Sequence, residues 1–372
     1  MEETKHTVRE YIERLRAADL LVGTAVPAEA AAREVAYISY DSQDIEPGTL
    51  FVCKGAHFRP QYLAEALARG AFVYLSEQPY PEQAGGAPVI LVSEIRRAMA
   101  LIADLYYNQV WRRLTTVGIT GTKGKSSTTY YVRAILDAWE KAQGRPRTAV
   151  ISGIDNYDGV SCEESHLTTP EAMMLHRHFD NAVRSGIEYL TMEVSSQALK
   201  YHRTLGITFD VGCFLNLGED HVSPVEHPTI EDYMNSKMVL MHQCRTAVIN
   251  RDSRYADWAL REARQSAEQV LTFGRSEEAD VRGYAVQPRA DGIDFRARGA
   301  GFDEPFAIGM TGLFNVSNAL AAITITRALG VPLATIREGL AAARVSGRME
   351  VFSDPRSGAG RHRRLRPQQD EL

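Results

Sequence analysis

One stretch narrows the choice of fold more than any other. An apolar run at residues 114–120 leads directly into Gly121-Thr122-Lys123-Gly124-Lys125-Ser126-Ser127. A segment with Val132, Ile135, Leu136 and Trp139 at helical spacing follows it. Strand, glycine-rich loop and helix in that order predict a phosphate loop. Glycines let backbone N–H groups approach phosphate oxygens, and a helix N-terminus adds partial positive charge. Lys125 is expected to pair with the β- and γ-phosphates of ATP, and Ser126 to offer its hydroxyl to Mg²⁺. A glycine-rich surface turn is the alternative, but it does not require the flanking strand and helix. Ile119 stands five residues before Gly124, so the loop departs from the general GxxxxGK[ST] spacing.

The rest of the chain supplies a matching scaffold. Apolar strands are predicted at residues 114–120, 148–154, 189–194, 211–217, 246–250 and 270–273, with helical segments between most of them. That alternation predicts a parallel sheet covered by helices. Residues 281–308 alternate like antiparallel hairpins, and a helix over 316–329 stops at Gly330-Val331-Pro332. Ahead of the loop, Val8, Tyr11, Ile12 and Leu15 mark one stripe of a short helix. Strands at 37–40, 49–53 and 72–75, a helix at 61–68 and a helix-rich stretch at 94–108 follow. The expected class is α/β: a small N-terminal domain over 1–112, then a P-loop ATPase domain over 113–346. Its sheet is mostly parallel with a small antiparallel portion.

Other classes are disfavoured. The formal net charge is −5, which offers nucleic acid no basic field. No apolar run approaches the ~18 residues that span a bilayer, and the charged N-terminus has no secretory core. Cys53, Cys162, Cys213 and Cys244 lie far apart without CxxC spacing, as expected of reduced cytosolic thiols rather than zinc ligands. A cytoplasmic monomer that binds neither membrane nor nucleic acid is the expectation.

The short TGTxGK[ST] loop resembles that of the Mur ligases and folylpolyglutamate synthases, and further segments extend the likeness to the Mur ligase family. Thr168-Thr169-Pro170-Glu171, Glu193-Val194-Ser195-Ser196, His202-Arg203 and Asn216-Leu217-Gly218-Glu219-Asp220-His221 all resemble family segments. So do Gly312-Leu313-Phe314-Asn315-Val316-Ser317-Asn318 and Gly347-Arg348-Met349-Glu350. Asp41-Ser42-Gln43, followed by Pro47-Gly48-Thr49-Leu50-Phe51-Val52, points to the MurE type, with Gln43 in place of the family's arginine. The likeness covers residues 37–352 and is specific collectively rather than piece by piece.

The resemblance implies an ATP- and Mg²⁺-dependent ligase. It would add L-lysine or meso-diaminopimelate, as the free third amino acid, to UDP-N-acetylmuramoyl-L-alanyl-D-glutamate through an acyl phosphate in peptidoglycan synthesis. Gly121, Thr122, Lys123, Gly124, Lys125, Ser126, Ser127, Asn315 and Asn318 would then bind ATP. Asp41, Ser42, Thr168, Thr169, Ser195 and Arg203 would bind the UDP-linked precursor. Lys125, Glu193, His221, Lys237 and Arg348 would form the catalytic set, with Ser126, Glu193 and a carbamylated Lys237 as metal ligands. Departures exist: Gln197-Ala198 replaces His-Gly, Tyr201 replaces Gln in some members, and His227 stands near a second family histidine with different flanks.

Family members continue with a further domain that opens on a strand and VDYAH[NT]. Here residues 353–372 are almost without apolar side chains. Synonymous codons for residues 361–372, read one base later, can encode Val-Ile-Val-Asp-Tyr-Ala-His-Asn-Lys-Met-Ser. The tail is therefore expected to be an out-of-frame, disordered end, with 347–352 the start of a C-terminal ligase domain that is absent and the chain inactive as it stands. A basic functional tail, a folylpolyglutamate-synthase-like ligase and a non-catalytic remnant that binds nucleotide and precursor are the alternatives.

Overall fold

The computed structural model describes residues 4–55, 58–218, 223 and 226–345, and the backbone of 350–353 and 360–363. The chain divides into two compact units. The first holds residues 1–110 with 170–180 and 201–207, and the second holds the remainder.

The first unit is built on a sheet of β1 (Leu21–Ala25), β2 (Tyr37–Ser39), β3 (Thr49–Val52), β4 (Ala71–Ser76) and β5 (Val89–Val92). The spatial order is β1-β5-β4-β3-β2, with β2 to β5 parallel and β1 antiparallel at one edge. Its strands read as continuous apolar runs because both faces are covered. Leu50, Val52, Val73, Leu75 and Ile90 pack with Val8, Tyr11, Ile12 and Leu15 of the helix Val8–Ala17 and with the helix Ile95–Tyr106. Phe51 and Tyr74 point the other way, onto Leu63 and Ala66 of the helix Pro60–Arg69. Ala172 and Met173, from the later segment 170–180, complete the first of these layers.

The second unit carries an eleven-stranded sheet. In chain order its strands are β6 (Thr115–Thr120), β7 (Ala149–Ile151), β8 (Asp155–Tyr157), β9 (Cys162–Glu164), β10 (Tyr189–Glu193), β11 (Phe209–Phe214), β12 (Cys244–Asn250), β13 (Gln269–Gly274), β14 (Val281–Arg289), β15 (Gly292–Gly299) and β16 (Phe302–Ile308). The order across the sheet is β16-β15-β14-β13-β12-β11-β6-β10-β7-β8-β9. From β7 to β14 neighbouring strands run parallel, while β15, β16 and the β8–β9 hairpin are antiparallel. The α/β class with a mostly parallel sheet and a small antiparallel portion is what the periodicity predicts. β6, the strand before the phosphate loop, lies between β10 and β11. The helices Lys125–Ala142, Phe314–Ala328 and Leu333–Ala342 bury Val132, Ile135, Leu136, Leu320, Ile323 and Ile336 in one core.

Some elements were not legible. β1 and β5 are short edge-side strands in segments rich in Gly, Ala and Pro, and β8–β9 is a three-residue hairpin whose outer strand is fully exposed. Pro332 does stop one helix, but it also caps the start of Leu333–Ala342, since its fixed φ suits a helix entry. Glu350–Ser353 and Gly360–Arg363 pair as an antiparallel ladder.

Gly339 sets how closely two helices meet. A Cβ there would stand 2.5 Å from Ile135 Cα and 2.8 Å from Ala134 O, both backbone atoms. Gly339→Ala should therefore lower stability by about 1–3 kcal/mol, the usual range for overpacking. Gly23→Ala, with nothing within 4 Å, should leave stability nearly unchanged. Denaturant unfolding of both variants checks this, and equal stability of the two would remove the close approach as an explanation.

Candidate functional site

The loop after β6 is fixed from three sides. Gly121 has no room for a side chain, because a Cβ would meet Leu215 Cβ at 2.9 Å. Gly124 has φ +90°, and a Cβ there would fall 2.4 Å from Asn318 Oδ1. Asn216, just past β11, clamps the loop backbone: Lys123 N donates to its Oδ1 at 3.0 Å, and its Nδ2 donates to Lys123 O at 2.9 Å. Thr122 N donates to Asn216 O at 3.1 Å. The Thr122 hydroxyl accepts from Gly218 N at 2.8 Å and meets the Tyr233 hydroxyl at 3.0 Å. Lys125 Nζ folds back onto Gly121 O at 3.0 Å.

The helix Lys125–Ala142 starts directly from this loop, and no side chain caps it. Its first-turn N–H groups are thus without the acceptor that a Ser or Asp cap would supply. Ser126 and Ser127 are buried at that turn. At the start of the helix Phe314–Ala328, Asn318 Nδ2 donates to Asn315 Oδ1 at 3.2 Å, and Asn315 Nδ2 donates to Thr311 O at 2.8 Å. The structure therefore brings Asn318 against Gly124 although the two lie far apart in sequence.

Glu193 ends β10, beside β6. It is 2% exposed, and its Oε1 accepts from Gly153 N at 3.0 Å. Thr169 Oγ1 donates to Glu193 O at 3.0 Å and accepts from Ser195 N at 3.0 Å. Thr168 Oγ1 lies 3.4 Å from where a Gly153 Cβ would stand. Thr168, Thr169, Glu193 and Ser195 thus form one strand-end cluster in the second unit.

Lys237 lies on the helix Ile230–His242 and is 1% exposed. Its ammonium sits 4.4 Å from the centroid of the Tyr233 ring, one turn earlier. Burial pushes the amine far below the usual lysine range, and the nearby charge of Lys125 adds to the shift. Among the described residues, no carboxylate pairs with it. Tyr233 was not singled out from the sequence; its i, i+4 spacing to Lys237 was the available signal.

In the first unit, Arg203 Nη2 and Lys54 Nζ each bond Glu171 at 2.8 Å. All three side chains are largely buried. Burial works to raise the Glu171 carboxyl, but Arg203 and Lys54 outweigh it and hold the pKa below the ordinary value. Lys54 moves down as well, because burial outweighs its one carboxylate partner. Lys54 also stands 5.0 Å from the Tyr40 ring centroid, next to Asp41. Asp41 Oδ1 accepts from Gln43 N at 2.9 Å, and Ser42 Oγ donates to Glu65 at 2.9 Å. Lys54 and Glu171 had no assigned part in the sequence reading. His221 and Arg348 lie outside the described residues.

Among the described residues no three His, Cys, Asp or Glu side chains stand together as a metal cage. A cavity of about 500 Å³ lies elsewhere, lined by Phe295, Arg296, Phe306 and Arg337 among others, and no loop residue borders it. Among the described residues no helix is long and apolar enough to cross a membrane.

Similar proteins share this frame. The Mur ligase middle domain family matches residues 119–326. A UDP-N-acetylmuramyl-tripeptide synthetase of Bifidobacterium longum is 36% identical over 95% of the chain and 68% of its own length. A UDP-N-acetylmuramoyl-L-alanyl-D-glutamate–L-lysine ligase of Streptococcus thermophilus is 37% identical over 85% of the chain and 62% of its own length. The chain thus spans about two thirds of the length of these relatives. The solved structure of a UDP-N-acetylmuramoyl-L-alanyl-D-glutamate–2,6-diaminopimelate ligase superposes with a TM-score of 0.79 at 22% identity, over 94% of the chain and 69% of that structure.

The Glu171 cluster generates a pH prediction. A depressed carboxylate pKa stabilises the fold fully above the unfolded value of about 4.3 and ceases to as pH falls through the folded value. Glu171→Gln should cost roughly 3–5 kcal/mol at neutral pH, because two buried cations lose their carboxylate. The deficit should shrink as pH falls from the unfolded value of about 4.3 through the lower folded value, where the wild-type carboxylate protonates. Unfolding curves at pH 7 and pH 3 test this; a deficit that does not change with pH would refute it.

Proposed function

The chain belongs to the Mur ligase family, and from that premise we propose that it is the nucleotide- and precursor-binding portion of a MurE-type ligase. The reaction is ATP-dependent addition of a third amino acid to UDP-N-acetylmuramoyl-L-alanyl-D-glutamate, and we assign it to the cytoplasm, where ATP and the UDP-linked precursor are held. Lysine and meso-diaminopimelate both fit as the incoming residue. The observation that carries this reading is the phosphate loop: it leaves the carboxyl end of a central parallel strand, is clamped by Asn216 and is closed over by Asn318. Ligands in parallel α/β sheets bind at that end of the strands.

ATP supplies the phosphoryl group that turns the precursor's carboxylate into an acyl phosphate, which the amine then displaces. The chain's own residues hold and neutralise charge. Within 121–127, the N–H groups not already held by Asn216, together with the uncapped helix start, receive phosphate oxygens, and Lys125 swings from Gly121 O to the β/γ-phosphates. Ser126 and Glu193 are the proposed Mg²⁺ ligands. Thr168, Thr169 and Ser195 at the strand-end cluster, with Asp41, Ser42 and Arg203 on the first unit, are assigned to the precursor.

Lys237 has the setting that carbamylation needs. A neutral amine attacks CO₂, forming an N–C bond as one C=O π bond opens and a proton is released, and burial favours the neutral form of this amine. The product carries a carboxylate able to help hold a second Mg²⁺. Capture of the incoming amino acid is assigned to the part of the relatives that this chain does not match, so the chain as it stands should bind and not turn over.

Calorimetry with ATP–Mg²⁺ should give measurable binding by the wild-type chain and at least a tenfold loss in Lys125→Ala, since a charge-assisted contact to phosphate is removed. Equal affinities would sink the nucleotide assignment. Under ¹³C-bicarbonate, NMR should show one carbamate signal that Lys237→Ala abolishes; a spectrum without it would reject the modification. Tripeptide formation assayed with lysine and diaminopimelate should be near zero for residues 1–372 alone. Robust turnover by the chain as written would overturn the division of labour proposed here.

A further inference from the structure

His227 is 1% exposed, and both of its ring nitrogens are used. Nδ1 lies 2.7 Å from Asp232 Oδ2, and Nε2 lies 3.0 Å from Ser196 Oγ. A carboxylate only accepts, so Nδ1–H donates to Asp232. Asp232 is held in turn by Lys200 Nζ at 2.8 Å, which also donates to Glu226 O at 3.0 Å. Nothing in the family likeness assigns a part to these four side chains.

The hydrogen-bond order Ser–His–Asp is that of a hydrolase triad, but the setting is not. Ser196 is 8% exposed at the first turn of the helix Ser196–Lys200, which gives its hydroxyl little access to a substrate carbonyl. Asp232 divides its charge between Lys200 and His227, which weakens its hold on a developing imidazolium. The arrangement therefore acts as a tie.

What it ties is informative. Ser196 follows Glu193 and Ser195 at the end of β10. Asp232 starts the helix that carries Tyr233 and Lys237. The His227 ring also lies on the Tyr233 ring, with centroids 4.7 Å apart and planes inclined at 35°. Tyr233 reaches the phosphate loop through its hydroxyl at 3.0 Å from Thr122, and its ring underlies the Lys237 ammonium. One buried imidazole thus connects the strand end with Glu193, the helix with Lys237, and the loop.

We propose that His227 is a positioning residue of the nucleotide site: it sets the register of the helix Ile230–His242 against the end of β10, and so fixes where Tyr233 and Lys237 stand relative to the phosphate loop. This rests on the assignment of that loop to ATP. Lys200 and Asp232 orient the ring, and Ser196 receives it.

The test uses the full chain with ATP–Mg²⁺ as the probe, measuring affinity and thermal stability side by side. Ser196→Ala deletes one hydrogen bond at a helical position that accepts alanine, and should weaken nucleotide binding about fivefold. His227→Leu deletes both bonds and should weaken it by ten-fold or more. Tyr233→Phe, which removes the loop contact, should weaken it too. Combined with Ser196→Ala it should lose less than the product of the two single effects, because both act through one ring stack. His227→Gln, which can still reach Ser196, should recover part of what His227→Leu loses. If His227→Leu does not fold, the Ser196→Ala and Tyr233→Phe cycle decides alone. Variants that melt earlier but bind ATP–Mg²⁺ with wild-type affinity, or singles that multiply fully in the double variant, would overturn the proposal. Failure of the underlying nucleotide assignment is distinct: the wild type itself would then fail to bind, or Lys125→Ala would bind equally well.

Discussion

The second unit depends on how closely backbone approaches backbone at the end of β6. A loop that receives phosphate must present N–H groups without side chains in the way, and it must be held still without spending those N–H groups on its own structure. Gly121 and Gly124 meet the first demand, one against Leu215 and the other under Asn318 with a left-handed φ. Asn216 holds the loop through the N–H and C=O of Lys123 and the N–H of Thr122, which leaves the remaining N–H groups of the loop and of the helix start for an anion. The central place of β6 follows from this, because a clamp from β11 and a carboxylate from β10 can then reach the loop from opposite sides.

Electrostatics builds on that frame. Lys125 and Lys237 are close enough to repel, and Lys237 is buried without a described carboxylate partner. Such a site is completed by anions: nucleotide phosphates, and on our reading a carbamate made on Lys237 itself. Glu193 is tied to Gly153 N through one oxygen. The first unit repeats the theme on a smaller scale, with Glu171 shared between Lys54 and Arg203. A single buried carboxylate between two cations leaves the group positive.

The tie through His227 shows how such sites keep their geometry. Glu193, Lys237 and the loop come from three separate elements, and each would drift if held only by apolar packing. Hydrogen bonds have fixed directions and the aromatic stack a preferred spacing, so the imidazole constrains orientation as well as distance. Its burial keeps competing water away from the bond to Ser196.

By itself the sequence determined the phosphate loop, the strand–helix alternation around it and the amphipathic opening helix with Val8, Tyr11, Ile12 and Leu15 buried as their spacing demands. These are local properties: seven contiguous residues define the loop, and periods of 2 and 3.6 define which face is apolar. The strands β1 and β8–β9 escaped because they are too exposed to show a period, and become strands only through their neighbours. The membership of 170–180 and 201–207 in the first unit escaped for the same reason, since segment boundaries there carry no break in composition. Only the tertiary structure decided which polar groups meet. Asn216 with Lys123, Glu171 with Lys54, and His227 with Ser196 are pairs distant in sequence. A lysine such as Lys237 on a helix rich in methionine reads equally as exposed or buried. Its burial comes from the elements packed around the helix, and a lost hydration shell leaves no trace in the order of residues along the chain.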